Sequence, residues 1–306
     1  MIPLPPIFTL TGNLLAERTL DFDRWSPGAT QRATAESFQV GGKGINVSKM
    51  LNRLAAENTA LCFAGGAPGA ECEAWLRAKN FAFQRFASNR ATRTGTVVRS
   101  GQLQTTFLAT DAAPDATAVQ ACADFINACP AGVLAICGSI PGWASSDFDP
   151  LRAAIHRWPE RGSLVVDSYG PALAWLVNET AALVRINRSE LNSLVPPAEQ
   201  KAPTGEILRR VRDRFRARRW VVSDGAAPVT FIDEHNDPEM LTPPAVRQVS
   251  PTGSGDVMLA CVLHARFHQD LSWRDAVAWS LPWAAANAGH SGIAEFTDPS
   301  PRAQKK

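Results

Sequence analysis

Ser250-Pro251-Thr252-Gly253-Ser254-Gly255-Asp256 runs without a break into Val257-Met258-Leu259-Ala260-Cys261-Val262-Leu263, a glycine-rich turn feeding a segment that is apolar on nearly every side. Such a segment reads as a buried helix whose N-terminus points at whatever fills the turn. Unpaired amides and the positive end of the helix dipole converge there, and Gly253 and Gly255 admit a ligand close to the backbone, so the turn is a candidate anion site. Asp256 is then out of place, because a carboxylate beside an anion site repels the anion unless it has chemistry to perform. Two readings stay open at this stretch: Ser254 or Asp256 is a helix N-cap, or the turn is an anion hole with a general base, the pair needed to move a phosphoryl group onto a hydroxyl.

A second glycine turn, Val40-Gly41-Gly42-Lys43-Gly44-Ile45-Asn46-Val47, opens a helix with Ile45, Val47, Met50, Leu51 and Leu54 near the 3.6-residue period. It is neither a Walker loop nor a Gly-x-Gly-x-x-Gly dinucleotide fingerprint. It can hold an anion or a sugar against the backbone, with Lys43 as a point charge for a phosphate; a tight turn with a solvated lysine accounts for the motif equally well. Outward from these two turns the chain alternates. Strands are expected at 7–11, 60–64, 133–137, 164–167, 183–186, 220–223 and 229–232, with helices at about 71–79, 117–128, up to 158, 171–177 and 204–217. That alternation implies an α/β fold with a mostly parallel sheet covered on both faces, whose ligands bind beyond the C-terminal strand ends. Stretches 12–40 and 92–108 carry short alternating strands outside this core, the second a hairpin about Ser100-Gly101. The tail 301–306 is expected to fray.

The 306 residues are 45% hydrophobic, enough for a sizeable core. Lys and Arg number 31 against 29 Asp and Glu, so a net charge of +2 gives no argument for a nucleic-acid partner. The basic run Arg209 to Arg219 places Leu208, Val211 and Phe215 at helical spacing and reads as the solvated face of an amphipathic helix. The six cysteines form no Cys-x-x-Cys pair and sit mostly in apolar runs, which suits buried, reduced thiols in a cytoplasmic protein. The first six residues do not make a signal peptide, and no window reaches the roughly 20 apolar residues of a membrane span. His264 and His268, four apart on the expected helix, lack a third metal ligand within reach.

With both turns in hand, the sequence resembles the ribokinase-like (PfkB) carbohydrate kinases, in the branch of 1-phosphofructokinase and tagatose-6-phosphate kinase, over almost its whole length. Gly41-Gly42-Lys43-Gly44-Ile45-Asn46-Val47 is similar to the family's first signature and Pro251-Thr252-Gly253-Ser254-Gly255-Asp256 to its second. Between them Thr92-Arg93, Gly138-Ser139-Ile140-Pro141, Asp167-Ser168-Tyr169-Gly170, Asn187-Arg188-Ser189-Glu190-Leu191 and Ser223-Asp224-Gly225-Ala226 follow in the family's order. The resemblance implies one α/β kinase domain over 1–306, a three-layer α/β/α core with a small β-sheet lid formed by about 12–40 and 89–110, and homodimerisation through that lid. It implies ATP as donor, Mg²⁺ as its companion and a phosphorylated ketose as acceptor. Asp256 would be the base, with the amides of Gly253, Ser254 and Gly255 on the transferring phosphate. Gly41, Gly42, Lys43, Asn46 and Ser139 would contact the sugar, with Glu17 clamping its hydroxyls, and Arg32 and Arg93 would face its phosphate. Asn187, Ser223, Gly225, Thr252 and Asn287 would line the nucleotide, and Glu190 would serve Mg²⁺ indirectly.

The sequence departs from the family pattern in places. Glu17 stands for an Asp, a Thr-Glu carboxylate is missing near Gln104-Thr105-Thr106-Phe107, Arg185-Ile186 replaces Lys-Pro, and Asp224 and Pro228 enter the nucleotide stretch. They leave room for a kinase of an unphosphorylated sugar or nucleoside, and for a sugar-phosphate-binding regulatory protein with weak turnover.

Overall fold

The computed structural model describes residues 4–101 and 103–299; the tail expected to fray lies outside them. The chain enters through β1 (Ile7–Thr11), leaves for β2 (Leu15–Phe22) and β3 (Ala35–Gly41), and returns with α1 (Lys43–Arg53), β4 (Asn58–Ala64), α2 (Gly66–Ala78) and β5 (Phe83–Ala87). A second excursion makes β6 (Arg93–Ser100) and β7 (Leu103–Leu108). Strands and helices then alternate through α3 (Ala116–Ala128), β8 (Val133–Gly138), α4 (Asp149–Arg157), β9 (Ser163–Ser168), α5 (Gly170–Leu176), β10 (Leu183–Asn187), α6 (Arg188–Asn192), α7 (Thr204–Arg214) and β11 (Trp220–Ser223). β12 (Val229–Ile232) and β13 (Glu239–Leu241) precede the long helices α8 (Ser254–Phe267) and α9 (Trp273–Ala288).

Among the described residues nine strands form one sheet in the order β13-β12-β11-β10-β9-β8-β1-β4-β5, all in one direction except β12, which runs antiparallel to both its neighbours near one edge. The central strands are buried because both faces are covered: all six residues of β8 are buried. Their alternate side chains feed two cores. Leu134 and Ile136 point to the side of α3, α4, α5 and α7, whereas Val133, Ala135 and Cys137 point to the side of α1, α8 and α9. The result is the three-layer α/β/α arrangement, and α8, buried from Asp256 through Leu263, lies in its second helical layer.

The two excursions pair with each other into a separate four-stranded sheet, β3-β2-β6-β7, in which β2 and β6 run parallel. Leu14, Ala16 and Val40 join it to Ile45 of α1 and to Cys72 and Leu76 of α2. Several details differ from expectation. β5, β13 and α9 emerge where no element is expected; α2 starts at Gly66, α7 stops at Arg214, and Asn187-Arg188-Ser189-Glu190 is the start of a helix rather than a turn. All six cysteines are buried and free. Several arginines of the 209–219 run are held by acids at the surface, Arg209 by Asp237, Arg210 by Glu199 and Glu206, and Arg219 by Glu234. No helix among the described residues is long and apolar enough to cross a membrane.

Candidate active site

A cleft of about 840 Å³ opens where the C-terminal ends of β10 and β11, the start of α1 and the Gly253 turn meet the four-stranded sheet. The turn excludes one of the two readings left open by the sequence. Gly253 is the N-cap of α8 in the left-handed region at φ 76°, and no side chain caps the helix. Ser254 Oγ instead accepts a bond from Asn287 Nδ2 at 3.2 Å, and Asp256 turns its carboxylate to Asn46 Nδ2 at 2.7 Å. Neither residue is a cap. Of the amides an α-helix leaves unpaired in its first turn, that of Ser254 bonds Pro251 O at 3.2 Å. Gly255 is needed for closeness, since a Cβ there would collide with the Arg185 guanidinium lying beneath the turn.

Asp256 is 5% exposed. Burial pushes its pKa up to about 7, reinforced by the neighbouring Asp167 and opposed by Lys43, Asn46 and Arg185. Asp167 follows the opposite course. It is fully buried at the end of β9, which alone would raise its pKa, yet Lys43 Nζ at 2.7 Å and Arg185 Nη1 at 3.2 Å hold it below the ordinary carboxylate range. Two carboxylates in one site are thus driven apart, one kept ionised and one poised near neutrality, the pattern of a fixed charge beside a proton acceptor. Lys43 Nζ also reaches Glu190 Oε1 at 3.2 Å; although burial disfavours its charge, Asp167, Glu190 and Asp256 together raise its pKa above the ordinary lysine value. Arg185 Nη2 donates to Ser223 Oγ at 2.8 Å, so a continuous row Glu190–Lys43–Asp167–Arg185–Ser223 underlies the cleft.

The anticipated residues fall into three groups. Glu17, Gly41, Gly42, Lys43, Asn46, Arg93, Asn187, Ser223, Gly225, Thr252 and the Gly253–Asp256 turn all line the cleft. Glu17 lies across the ladder from Gln39, whose Nε2 donates to its Oε1. Ser139, Glu190 and Asn287 sit behind the lining. Ser139 Oγ bonds Asn13 at 3.2 Å and the Tyr169 hydroxyl at 3.1 Å. Asn187 caps α6 and Glu190 Oε2 accepts the Asn187 amide at 2.8 Å in return, a capping box that leaves both Glu190 oxygens engaged. Asn287 is 1% exposed and staples the turn, donating to Thr252 O at 3.0 Å while its Oδ1 takes the Ala294 amide. The expectation that it touches nucleotide gives way to that of a strut. Arg32 forms the third group: it is exposed in the connection from β2 to β3 and does not line the cleft.

Asp224, a worry in the nucleotide stretch, is exposed and off the cleft wall although Ser223 and Gly225 line it. Asp167, Arg185, Asn13 and Asp111 carry structure in the site without having been singled out for it. A signal existed for two of them: Asp167 and Arg185 are charges inside otherwise apolar strand runs, and buried charges are rare without a partner. His264 and His268 stack at 5.7 Å beside Trp279, and no cluster of three metal-ligating groups occurs among the described residues.

A profile of the pfkB family carbohydrate kinases matches residues 12–299. The 1-phosphofructokinase of Haloferax volcanii is 30% identical over 295 residues, 94% of this chain and 92% of that protein. The ATP-dependent 6-phosphofructokinase isozyme 2 of Escherichia coli is 30% identical over 247 residues, 77% of each. Phosphofructokinase-2 from Escherichia coli, solved in complex with fructose-6-phosphate, superposes with a TM-score of 0.82 over 93% of this chain and 94% of that one at 24% identity, a likeness of fold. The cleft with its buried, raised carboxylate therefore has a lineage as well as a geometry: the chain belongs to the pfkB family of carbohydrate kinases.

Proposed function

We propose that this protein transfers the γ-phosphoryl group of ATP to a hydroxyl of a phosphorylated ketose of the fructose or tagatose phosphate type. The observation that carries the reading is Asp256: a buried carboxylate with a pKa of about 7, fixed by Asn46 and set on an anion-binding turn at the edge of the cleft. Asp256 takes the proton of the acceptor hydroxyl as that oxygen attacks, and the Gly253–Gly255 amides with the dipole of α8 stabilise the charge on the transferring group. Arg185 beneath the turn and Lys43 beside it add fixed positive charge, each oriented by Asp167 so that little reorganises during transfer. Thr252, Ser223 and Gly225 face the nucleotide, while Glu17, Asn46 and Arg93 face the acceptor.

The oxygen donors present suit a hydrated Mg²⁺ carried on nucleotide phosphates rather than a protein cage, since Glu190 has both oxygens occupied and would hold the ion through water. Bound there, Mg²⁺ would neutralise charge on the β- and γ-phosphates. The whole chain acts as a single kinase domain in which the β3-β2-β6-β7 sheet is a lid that keeps water, a competing acceptor, from the turn. A homodimer through the lid and a cytoplasmic setting, in keeping with six free buried thiols, complete the proposal.

Coupled ADP release over fructose 1-phosphate, fructose 6-phosphate, tagatose 6-phosphate and the free sugars tests the acceptor class. Asp256→Asn tests the base: kcat is expected to fall at least about a hundredfold with nucleotide binding retained. A variant that folds, binds nucleotide and keeps most of its turnover would sink the assignment.

A further inference from the structure

At the end of the cleft that is to receive the acceptor's phosphate, Arg93 is already met from outside the cleft lining by an anion of the protein's own. Asp111 lies in the stretch that leaves β7, and its Oδ1 accepts two bonds at once, from Arg93 Nη1 at 2.9 Å and from Asn13 Nδ2 at 2.9 Å. The burial of the pair is uneven. The Arg93 side chain is 14% exposed and that of Asp111 49%, so a packed-in guanidinium is met from the solvent side by a carboxylate. Arg93 Nε is buried and has no hydrogen-bond partner, although Arg93 lines the cleft. A buried N–H left unpaired is costly, and a guanidinium that offers five donors is only partly satisfied by one carboxylate oxygen. Asn13 ties the same oxygen to Ser139, and Ser139 to Tyr169, so Asp111 closes a network running along the acceptor side.

We propose that Asp111 is an internal counter-anion which occupies Arg93 until the acceptor's phosphate displaces it, and that it thereby determines which acceptors the enzyme takes. The inference rests on the reading of Arg93 as the acceptor-phosphate contact. A neutral hydroxyl cannot compete with an ionised carboxylate for a guanidinium, so an unphosphorylated sugar leaves the pair intact. A phosphate dianion brings more charge and three oxygens, enough to take Nη1 from Asp111 and to reach the donors Asp111 leaves unpaired. Because Asp111 is half-exposed in the connection that follows β7, its carboxylate is released into water when the exchange occurs, at small electrostatic cost. The pair thus weakens phosphorylated acceptors in absolute terms while leaving only phosphorylated acceptors able to engage Arg93.

The test is calorimetric titration of the full chain, without nucleotide, using fructose 6-phosphate, fructose 1-phosphate, inorganic phosphate and free fructose as probes. Asp111→Asn keeps the size of the side chain and removes its charge. It is expected to tighten at least one of the phosphorylated sugars and inorganic phosphate by about tenfold and to leave free fructose unchanged. Arg93→Ala is expected to weaken the phosphate probes, and in the Arg93→Ala background Asp111→Asn should give no gain, since the two effects act through one contact. Asp111→Ala, which cannot reach Arg93 at all, must behave as Asp111→Asn does; unchanged thermal midpoints exclude misfolding as the cause. Unaltered or weaker phosphate binding in both Asp111 variants overturns the proposal, and equal weakening of free fructose would make Asp111 a hydroxyl ligand instead. If neither the native protein nor the variants bind any phosphate probe, the ketose-phosphate reading itself fails, and this proposal with it.

Discussion

Asp256 and Asp167 are the same residue type within electrostatic reach of each other, and the protein makes opposite use of them. Asp167 has two cationic partners within hydrogen-bond distance and stays ionised; Asp256 has an amide partner and little else within bonding reach, so burial prevails and its pKa climbs to about 7. The consequence can be read in a rate profile. A general base works only when deprotonated, so kcat/KM is expected to rise with pH through about 7 and to fall about tenfold for each unit below it. A profile flat from pH 5 to 8 would show that no group of this pKa is the base. Asp256 itself could be found in the sequence, because its second signature is contiguous. Its raised pKa could not, because the first cause is burial by the folded chain and the second is Asp167, which stands 89 positions away and meets it only through the sheet.

At the scale of elements, the Gly253 turn depends on how closely α8 sits on β10. Alanine at Gly255 would improve helix propensity by roughly 1 kcal/mol, yet its Cβ would strike the Arg185 guanidinium and push it from Asp167 and Ser223. The steric effect wins because the guanidinium is tied in place: Arg185 is 6% exposed, and moving toward the cleft it lines would give up its bonds to Asp167 and Ser223. Gly255→Ala is expected to lower kcat/KM for ATP by about tenfold or more without an increase in thermal midpoint; kinetics at saturating acceptor check it, and an unaltered rate would mean that Arg185 does not act through this turn. The βα alternation that places these elements was legible, since parallel strands covered on both faces leave long apolar runs, as in β8 and β10. β5 and β13 were not. β5 is an edge strand with Phe86 as its one buried side chain, and β13 has three residues, so neither shows a hydrophobic period. Trp273, Trp279 and Trp283 follow a helical period only loosely and Pro282 interrupts it, yet α9 carries all four because its packing on α8 outweighs one lost backbone bond. Asp111 was invisible for a different reason: nothing in its neighbours announces that a connection after β7 folds back onto Arg93 and Asn13.

For the whole molecule the feature of most consequence is the uncovered edge of the four-stranded sheet. β7 is an edge strand with every residue exposed, and it presents Leu103 at 77%, Phe107 at 52% and Leu108 at 54% to water. Alternation puts Leu103 and Phe107 on one face and Leu108 on the other, so no rotation of a monomeric sheet could bury them all. An unprotected edge with apolar residues on both sides invites pairing with another strand, and a second copy of this chain supplies one by two-fold symmetry, with the same patch meeting itself. Light scattering is therefore expected to report the mass of two 33.0 kDa chains at micromolar concentration. Phe107→Asp combined with Leu108→Asp should reduce it to one by placing charges where the contact would desolvate them. Because the same sheet carries Glu17 and Arg93 to the cleft, the monomeric variant should also show an acceptor KM raised by about tenfold or more while the ATP KM stays close to that of the native protein. A native protein that is monomeric at these concentrations, or a double variant that remains dimeric, would place the interface elsewhere and leave β7 free as the outer edge of the lid.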